Sequence, residues 1–419
     1  MISKSKNTSQ KIELTAPVGS WESLAAAIKA GADSVYFGVG KLNMRSRSAI
    51  NFQIKDLKKI KTICVKNHIN AYLALNIVVY DDELRETKKI IDSAKKANID
   101  AIIASDISII EYAKKIKIPV HISTQANVSN LEAVRFFSKY ADCIVLAREL
   151  NLSQIKNICD TIKKEKIRGP SGELVKIEIF AHGALCVAIA GKCHMSLATY
   201  NHSANRGDCL QTCRRKYRVI DEETNQELII DNQFVMSPKD LCTINVLDKI
   251  INAGPTILKI EGRGRSPDYV YTTIRAYKDA LNLIEENNFT EDKKKELQTQ
   301  LDSVFNRGFW QGGYYLGEKL GVWSGIYGSA ATKNKTFLGA IQNYYSKKGV
   351  CSVFIETGLI KKGDEILITG TTTGVVQFIV NAIVLDEKNV EIAKKNDFIA
   401  FMVPQKVRKN DKVYVLKAK

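Results

Sequence analysis

No stretch of the 419-residue chain approaches the ~20 consecutive apolar residues that a membrane-spanning helix needs. The first residues, MISKSKNTSQK, contain no apolar core, which argues against a secretory signal; residues 1–12 read as a short disordered arm of a cytoplasmic protein. Histidine is scarce, with five in the whole chain. There is no G-x-S-x-G elbow, no Ser–His–Asp arrangement, no H-E-x-x-H pair and no glycine-rich dinucleotide fingerprint. These absences argue against an elbow-type serine hydrolase, a zinc peptidase and a dinucleotide-dependent enzyme. A cysteine nucleophile remains as a peptidase route, and a thiol that holds iron cannot follow it.

Acidic side chains are also in deficit. Against 62 basic residues stand 45 acidic ones, a net charge of +17. Such a surface suits polyanions, nucleic acid first. An abundance of Lys, Ile and Asn, as base composition of a genome can impose, accounts for the same excess.

What the chain does have is a dense run at residues 177–217. Cys186, Cys193, Cys209 and Cys213 lie in it with the spacing C-x6-C-x15-C-x3-C, together with His182, His194 and His202. Four thiols in one segment, with no secretion signal, point to metal binding or catalysis rather than to disulfides. Only Cys209 and Cys213 are close enough for a zinc knuckle, so a four-cysteine iron–sulfur cluster fits the spacing better than a zinc ribbon; both readings stay open on spacing alone. Small residues such as Gly183, Ala184, Gly191 and Gly207 would let the backbone approach a bound group, and Arg214, Arg215 and Lys216 follow the last cysteine. Cys64, Cys143, Cys159 and Cys351 sit in apolar patterns and read as small hydrophobes. Cys242 is a spare that could stand in for Cys213.

Short apolar strands alternate with helical periodicity eight times between residues 13 and 290. The strands are expected near 13–19, 34–40, 70–80, 101–107, 120–128, 143–149, 176–183 and 256–264, with the seventh helix delayed to about 239–253. This pattern predicts a (β/α)8 barrel, with an open doubly wound sheet as the alternative. Barrel chemistry gathers at the C-terminal ends of the strands. There the sequence places Arg45 and Arg47, Gln125, Arg148 and Glu149, His182, and Glu261, Arg263 and Arg265. Arginine forks suit carboxylates and phosphates, although Glu149 and Glu261 offer them partners of their own. The cysteine segment, residues 184–217, leaves the same rim. Residues 291–332 read as a linker that packs on the barrel, and 333–419 as a small β-barrel domain built of six short strands.

The runs GALCVAIAGKCHMS and NRGDCLQTCRRKY, with APVG, GADSVYFGV, STQANVSN, LARELNL, SPKDL, KIEGRGRSPDYV and FNRGFWQGGYYLG in order around them, resemble the collagenase-like peptidase family of unassigned mechanism, the peptidase U family. The resemblance covers nearly the whole chain. In length and C-terminal domain it is most similar to those members that hydroxylate tRNA at the wobble uridine; others act on ribosomal RNA or a quinone precursor. The resemblance implies a 4Fe-4S iron–sulfur cluster on Cys186, Cys193, Cys209 and Cys213, dependence on prephenate, a dicarboxylate, and tRNA as partner. It transfers no catalytic base.

Overall fold

The alternation of apolar residues along each short strand divides the barrel into two environments. In the computed structural model, which describes residues 11–47, 49–228, 234–318 and 322–419, seven parallel strands run in order: β1 (Glu13–Pro17), β2 (Ser34–Gly38), β3 (Asn70–Leu75), β4 (Ala101–Ala104), β5 (Val120–Ile122), β6 (Cys143–Val145) and β7 (Lys176–Gly183). The ribbon strands β8 (Val219–Ile220) and β9 (Glu227–Leu228) follow, then β10 (Asp240–Cys242) and β11 (Ile257–Ile260). β11 pairs in parallel with both β1 and β7, which closes an eight-stranded barrel. The predicted (β/α)8 fold is borne out. Most of the expected arm, residues 1–10, lies outside the described residues.

Leu14, Val35, Leu73, Ile102, Ile122, Ile144, Ile179 and Leu258 face outwards and pack with the helices into one apolar core. Those helices are α1 (Trp21–Ala30), α2 (Leu57–Lys66), α3 (Leu84–Lys96), α4 (Ile107–Lys115), α5 (Leu131–Phe137), α6 (Leu152–Glu165), α8 (Leu247–Asn252) and α9 (Pro267–Glu285), while the short α7 (Met195–Tyr200) belongs to the cysteine segment and adds nothing to this core. Ser20 caps α1 by accepting from the Ser23 amide, as a serine before an apolar-periodic run should. The inward positions are unusually polar for this fold, in which branched aliphatics normally fill the interior. Thr15, Ser34, Tyr36, Tyr72, His121, Glu178 and Lys259 are all buried.

The segment after the cysteines departs from expectation. The helix expected over about 239–253 begins instead with strand β10, and α8 is a single short helix. Leu241 and Cys242 pair antiparallel with Gly183 and His182 of β7, and β12 (Phe309–Gln311) adds in parallel outside β10. The tertiary pairing partner, absent from any local window, makes this stretch extended. Before β12 lies α10 (Glu291–Asp302), capped by Thr290.

The chain ends in an antiparallel sheet of β13 (Lys333–Tyr345), β14 (Val350–Phe354), β16 (Glu365–Gly370), β17 (Gly374–Ile379), β18 (Ile383–Leu385), β19 (Lys388–Val390), β21 (Phe398–Met402) and β22 (Lys412–Ala418), with the pair β15 (Leu359–Lys361) and β20 (Ile392–Lys394) beside it. They share a core of their own that includes Leu338, Val353, Ile366, Ile383, Phe401 and Val413. This unit rests on α1. Ala26 packs with Leu367 and Val375, and Lys29 donates to the Val375 carbonyl at 2.6 Å.

Candidate active site at the barrel mouth

Strands β2, β3, β5, β6, β7 and β11 direct their C-terminal ends at one cavity of about 230 Å3. The cysteine segment leaves β7 and crosses this opening. Loop-to-loop hydrogen bonds hold it there: Asn127 Nδ2 donates to the Ala190 carbonyl at 3.2 Å, the Val78 amide to the Asn205 carbonyl at 3.2 Å, and Ser46 Oγ to the Gly207 carbonyl at 3.1 Å. Gly207 has φ 84°, and a Cβ there would stand 2.3 Å from the Asn43 carbonyl oxygen, so only glycine lets this turn lie against the β2 loop.

Cys186, Cys193, Cys209 and Cys213 all line the cavity. Burial raises the Cys213 thiol to about 11 and also raises that of Cys193. Among the described residues, one trio of potential metal donors lies mutually within 4.8 Å, and it is not drawn from these thiols. A tetrahedral zinc site with Zn–S near 2.3 Å needs sulfurs about 3.8 Å apart. No three of the four cavity thiols come within 4.8 Å of one another, so as placed they do not make a compact zinc site. Cys242 is fully buried with its thiol 3.6 Å from Gln298 Oε1, and it does not line the cavity, so it offers no substitute for Cys213.

The same cavity has a cationic lining. Arg45, Arg148, Arg263, Arg265 and, unforeseen in the sequence, Arg307 line it, with Gln125, Glu149 and Glu261. Glu261 organises the centre. Arg45 Nε donates to its Oε1 at 3.0 Å and the Tyr36 hydroxyl to its Oε2 at 3.1 Å. Burial pushes the Glu261 carboxyl up, but Arg45, Arg148 and Arg263 outweigh burial and hold it at about 2. Arg263, 4% exposed, is fixed by a 3.0 Å bond to Asn43 Oδ1. Arg148 stacks on Phe180, its guanidinium carbon 3.9 Å from the ring centre, and Nη1 donates to the Ala184 carbonyl at 3.0 Å. Its Nε is buried and has no hydrogen-bond partner among the described residues. Arg265 lies over Phe305, and burial and then Arg307 lower it to about 10. With Glu261 already committed to Arg45 and Tyr36, the wall keeps a surplus of guanidinium and favours an anion.

Two candidate residues fall elsewhere. Arg47 pairs with Asp208 at 2.9 Å and does not line the cavity. His182 is 1% exposed, does not line the cavity, and is walled by Tyr269, Tyr277 and Phe309. A register shift explains its turn. Phe180 pairs with Lys259, yet His182 pairs with Ile260, so β7 carries one extra residue and His182 swings outwards. Burial drives its imidazole down to about 3, so it is neutral. Sequence reading also passed over Tyr36 and Lys259 at the cavity floor; both sit mid-strand, where their inward direction follows from alternation once the barrel closes.

The model of peptidase family U32 matches residues 19–323. A protein named collagenase from Porphyromonas gingivalis is 51% identical over 402 residues, 96% of this chain and 97% of that protein. The tRNA hydroxylation protein P1 of Bacillus subtilis is 32% identical over 371 residues, covering 85% and 83%. The 23S rRNA 5-hydroxycytidine C2501 synthase of Escherichia coli is 33% identical over 278 residues, 66% of this chain and 40% of that protein. The match over residues 19–323, which takes in most of the barrel and the cysteine segment, places this chain in peptidase family U32.

Proposed function

We propose that the protein hydroxylates tRNA, forming 5-hydroxyuridine at the wobble position, with a 4Fe-4S cluster held by Cys186, Cys193, Cys209 and Cys213 and with prephenate, a dicarboxylate, as co-substrate. The observation that carries this reading is the shared cavity, lined by four thiols that as placed do not make a compact zinc site and by arginines with guanidinium to spare. When bound, the cluster supplies one-electron redox chemistry. The chain's own residues do the rest. Arg45, Arg148 and Arg263 bind and orient a carboxylate, with the free Nε of Arg148 one available donor. Tyr36 and Asn43 hold Glu261 and Arg263 in place, so the anion site is preorganised. The basic exterior and the C-terminal sheet hold RNA.

The test is anaerobic purification with iron and sulfide analysis, followed by nucleoside mass spectrometry of tRNA from a strain lacking the gene. The expected outcome is about four irons per chain and a broad band near ~400 nm, both lost in Cys213→Ser, with 5-hydroxyuridine absent from the deletion strain. Unchanged tRNA in that strain sinks the reading. The 51% identity to a protein named collagenase favours peptidase activity as a second reading. It requires that purified protein stripped of iron still cleave collagen or gelatin. Among the described residues no histidine lines the cavity to activate a nucleophile, which weighs on the side of hydroxylation.

A further inference from the structure

Below the mouth cavity, inside the barrel, three donors of different chemistry come from three neighbouring strands. His121 of β5, Cys143 of β6 and Glu178 of β7 place one donor atom each within 4.8 Å of one another, and all three are buried. Glu178 Oε2 is 3.8 Å from His121 Nδ1 and 3.6 Å from Cys143 Sγ. Donors around a tetrahedral zinc, at about 2.0–2.3 Å from the metal, stand roughly 3.3–3.8 Å apart. Two edges of the donor triangle thus have nearly the dimensions that a bound ion requires. His121 Nδ1 is buried and, among the described residues, has no hydrogen-bond partner, which leaves an unsatisfied ring nitrogen within the group.

The surroundings carry the same message. Glu178 gives its other oxygen, Oε1, to Lys259 at 2.6 Å, which fixes the carboxylate and turns Oε2 towards His121 and Cys143. Tyr72 lies against His121 with ring centres 4.4 Å apart and donates to Glu13 at 2.6 Å. The formal charges inside the layer are two carboxylates, Glu13 and Glu178, against one ammonium, Lys259. Binding a divalent ion, with loss of the Cys143 proton to solvent, adds two positive charges and one negative, and brings the layer from −1 to zero.

We infer that His121 Nδ1, Cys143 Sγ and Glu178 Oε2 form a second metal site, inside the barrel and separate from the four-cysteine cavity, for one borderline-soft divalent cation of the zinc class. A mixed N, S and O set suits zinc, with a fourth position left for water. This inference does not depend on the hydroxylase reading.

The experiment is zinc analysis and zinc-edge X-ray absorption on the full-length protein, dialysed against equimolar zinc and then a weak chelator. The expected result is about one zinc per chain with one sulfur near ~2.3 Å and N or O neighbours near ~2.0–2.1 Å. It should persist in Cys213→Ser and disappear in Cys143→Ala and His121→Ala, and zinc should raise the Tm of wild type but not of Cys143→Ala. Cys143→Ser keeps the size of the side chain and guards against misfolding; with native circular dichroism it should still hold zinc at least ~10-fold more weakly. No retained zinc in the wild type, or a sulfur-only shell that survives in Cys143→Ala, overturns the proposal.

Discussion

Glu261 shows how a single carboxylate governs a site. It is partnered by Arg45 and Tyr36 and lies within the fields of Arg148 and Arg263. Glu261→Gln leaves those guanidiniums without their counter-charge, and the expected loss is roughly 3–5 kcal/mol of stability in urea unfolding. Because the folded carboxyl sits at about 2, below its ordinary 4.5, its contribution is complete above pH 4.5 and is lost as pH falls through 4.5 towards 2. His182 acts over a higher range. Its neutral, buried imidazole has a folded value near 3 against an ordinary 6.5, so the unfolded chain binds the extra proton between those limits. Unfolding free energy should fall as pH drops from 6.5 towards 3, by on the order of a few kcal/mol, and His182→Phe should flatten that slope in denaturant titrations across pH. A slope unchanged by the substitution would show that His182 is not the group responsible. Arg45, Arg148, Arg263 and Arg265 were legible in the sequence because they follow strand ends; Arg307, which precedes β12, was not. His182 was misread because its direction depends on the one-residue register shift against β11, which no local pattern reveals.

At the scale of elements, the eight barrel strands and their helices were readable because β-branched runs alternate with 3.6-residue periodicity between turn signals. β10 and β12 were not. Each is three residues long and owes its extended form to tertiary pairing, β10 with β7 and β12 with β10. In the C-terminal part, where six short strands were expected, the structure has ten, because the short β15, β18, β19 and β20 carry too few residues for a pattern. The junction of β7 with the cysteine segment is the most sensitive joint. Gly183 has φ 109°, and a Cβ there would stand 2.5 Å from the Glu261 carbonyl oxygen. Gly183→Ala should cost about 1–3 kcal/mol and displace the start of the segment. Iron content of anaerobically purified protein should fall with it; full iron retention would mean that the segment does not depend on this turn.

For the whole molecule, a charge of +17 makes any RNA complex salt-sensitive. Affinity for tRNA, measured by fluorescence anisotropy, should fall steeply and log-linearly between about 50 and 200 mM salt, by up to 10³-fold or more if six or more phosphates are contacted. A flat dependence would remove the basic surface from the argument. The sequence made this surplus plain, but not where it would be neutralised; many lysines are spent on partners such as Asp33, Asp100, Asp268 and Glu365.

The pairing of Gly183 with Leu241 gives the cysteine segment one more property. The excursion from residue 184 to 239 departs from β7 and returns to the same strand, so its two ends are clasped like the neck of a drawstring purse. What hangs from the neck can lengthen or shorten without levering the barrel apart, because doubling such a loop adds only about 0.6 kcal/mol of closure entropy. The barrel and the excursion can therefore diverge at different speeds. One scaffold can carry excursions of different lengths over its mouth, provided that the clasp and the four thiols keep their places.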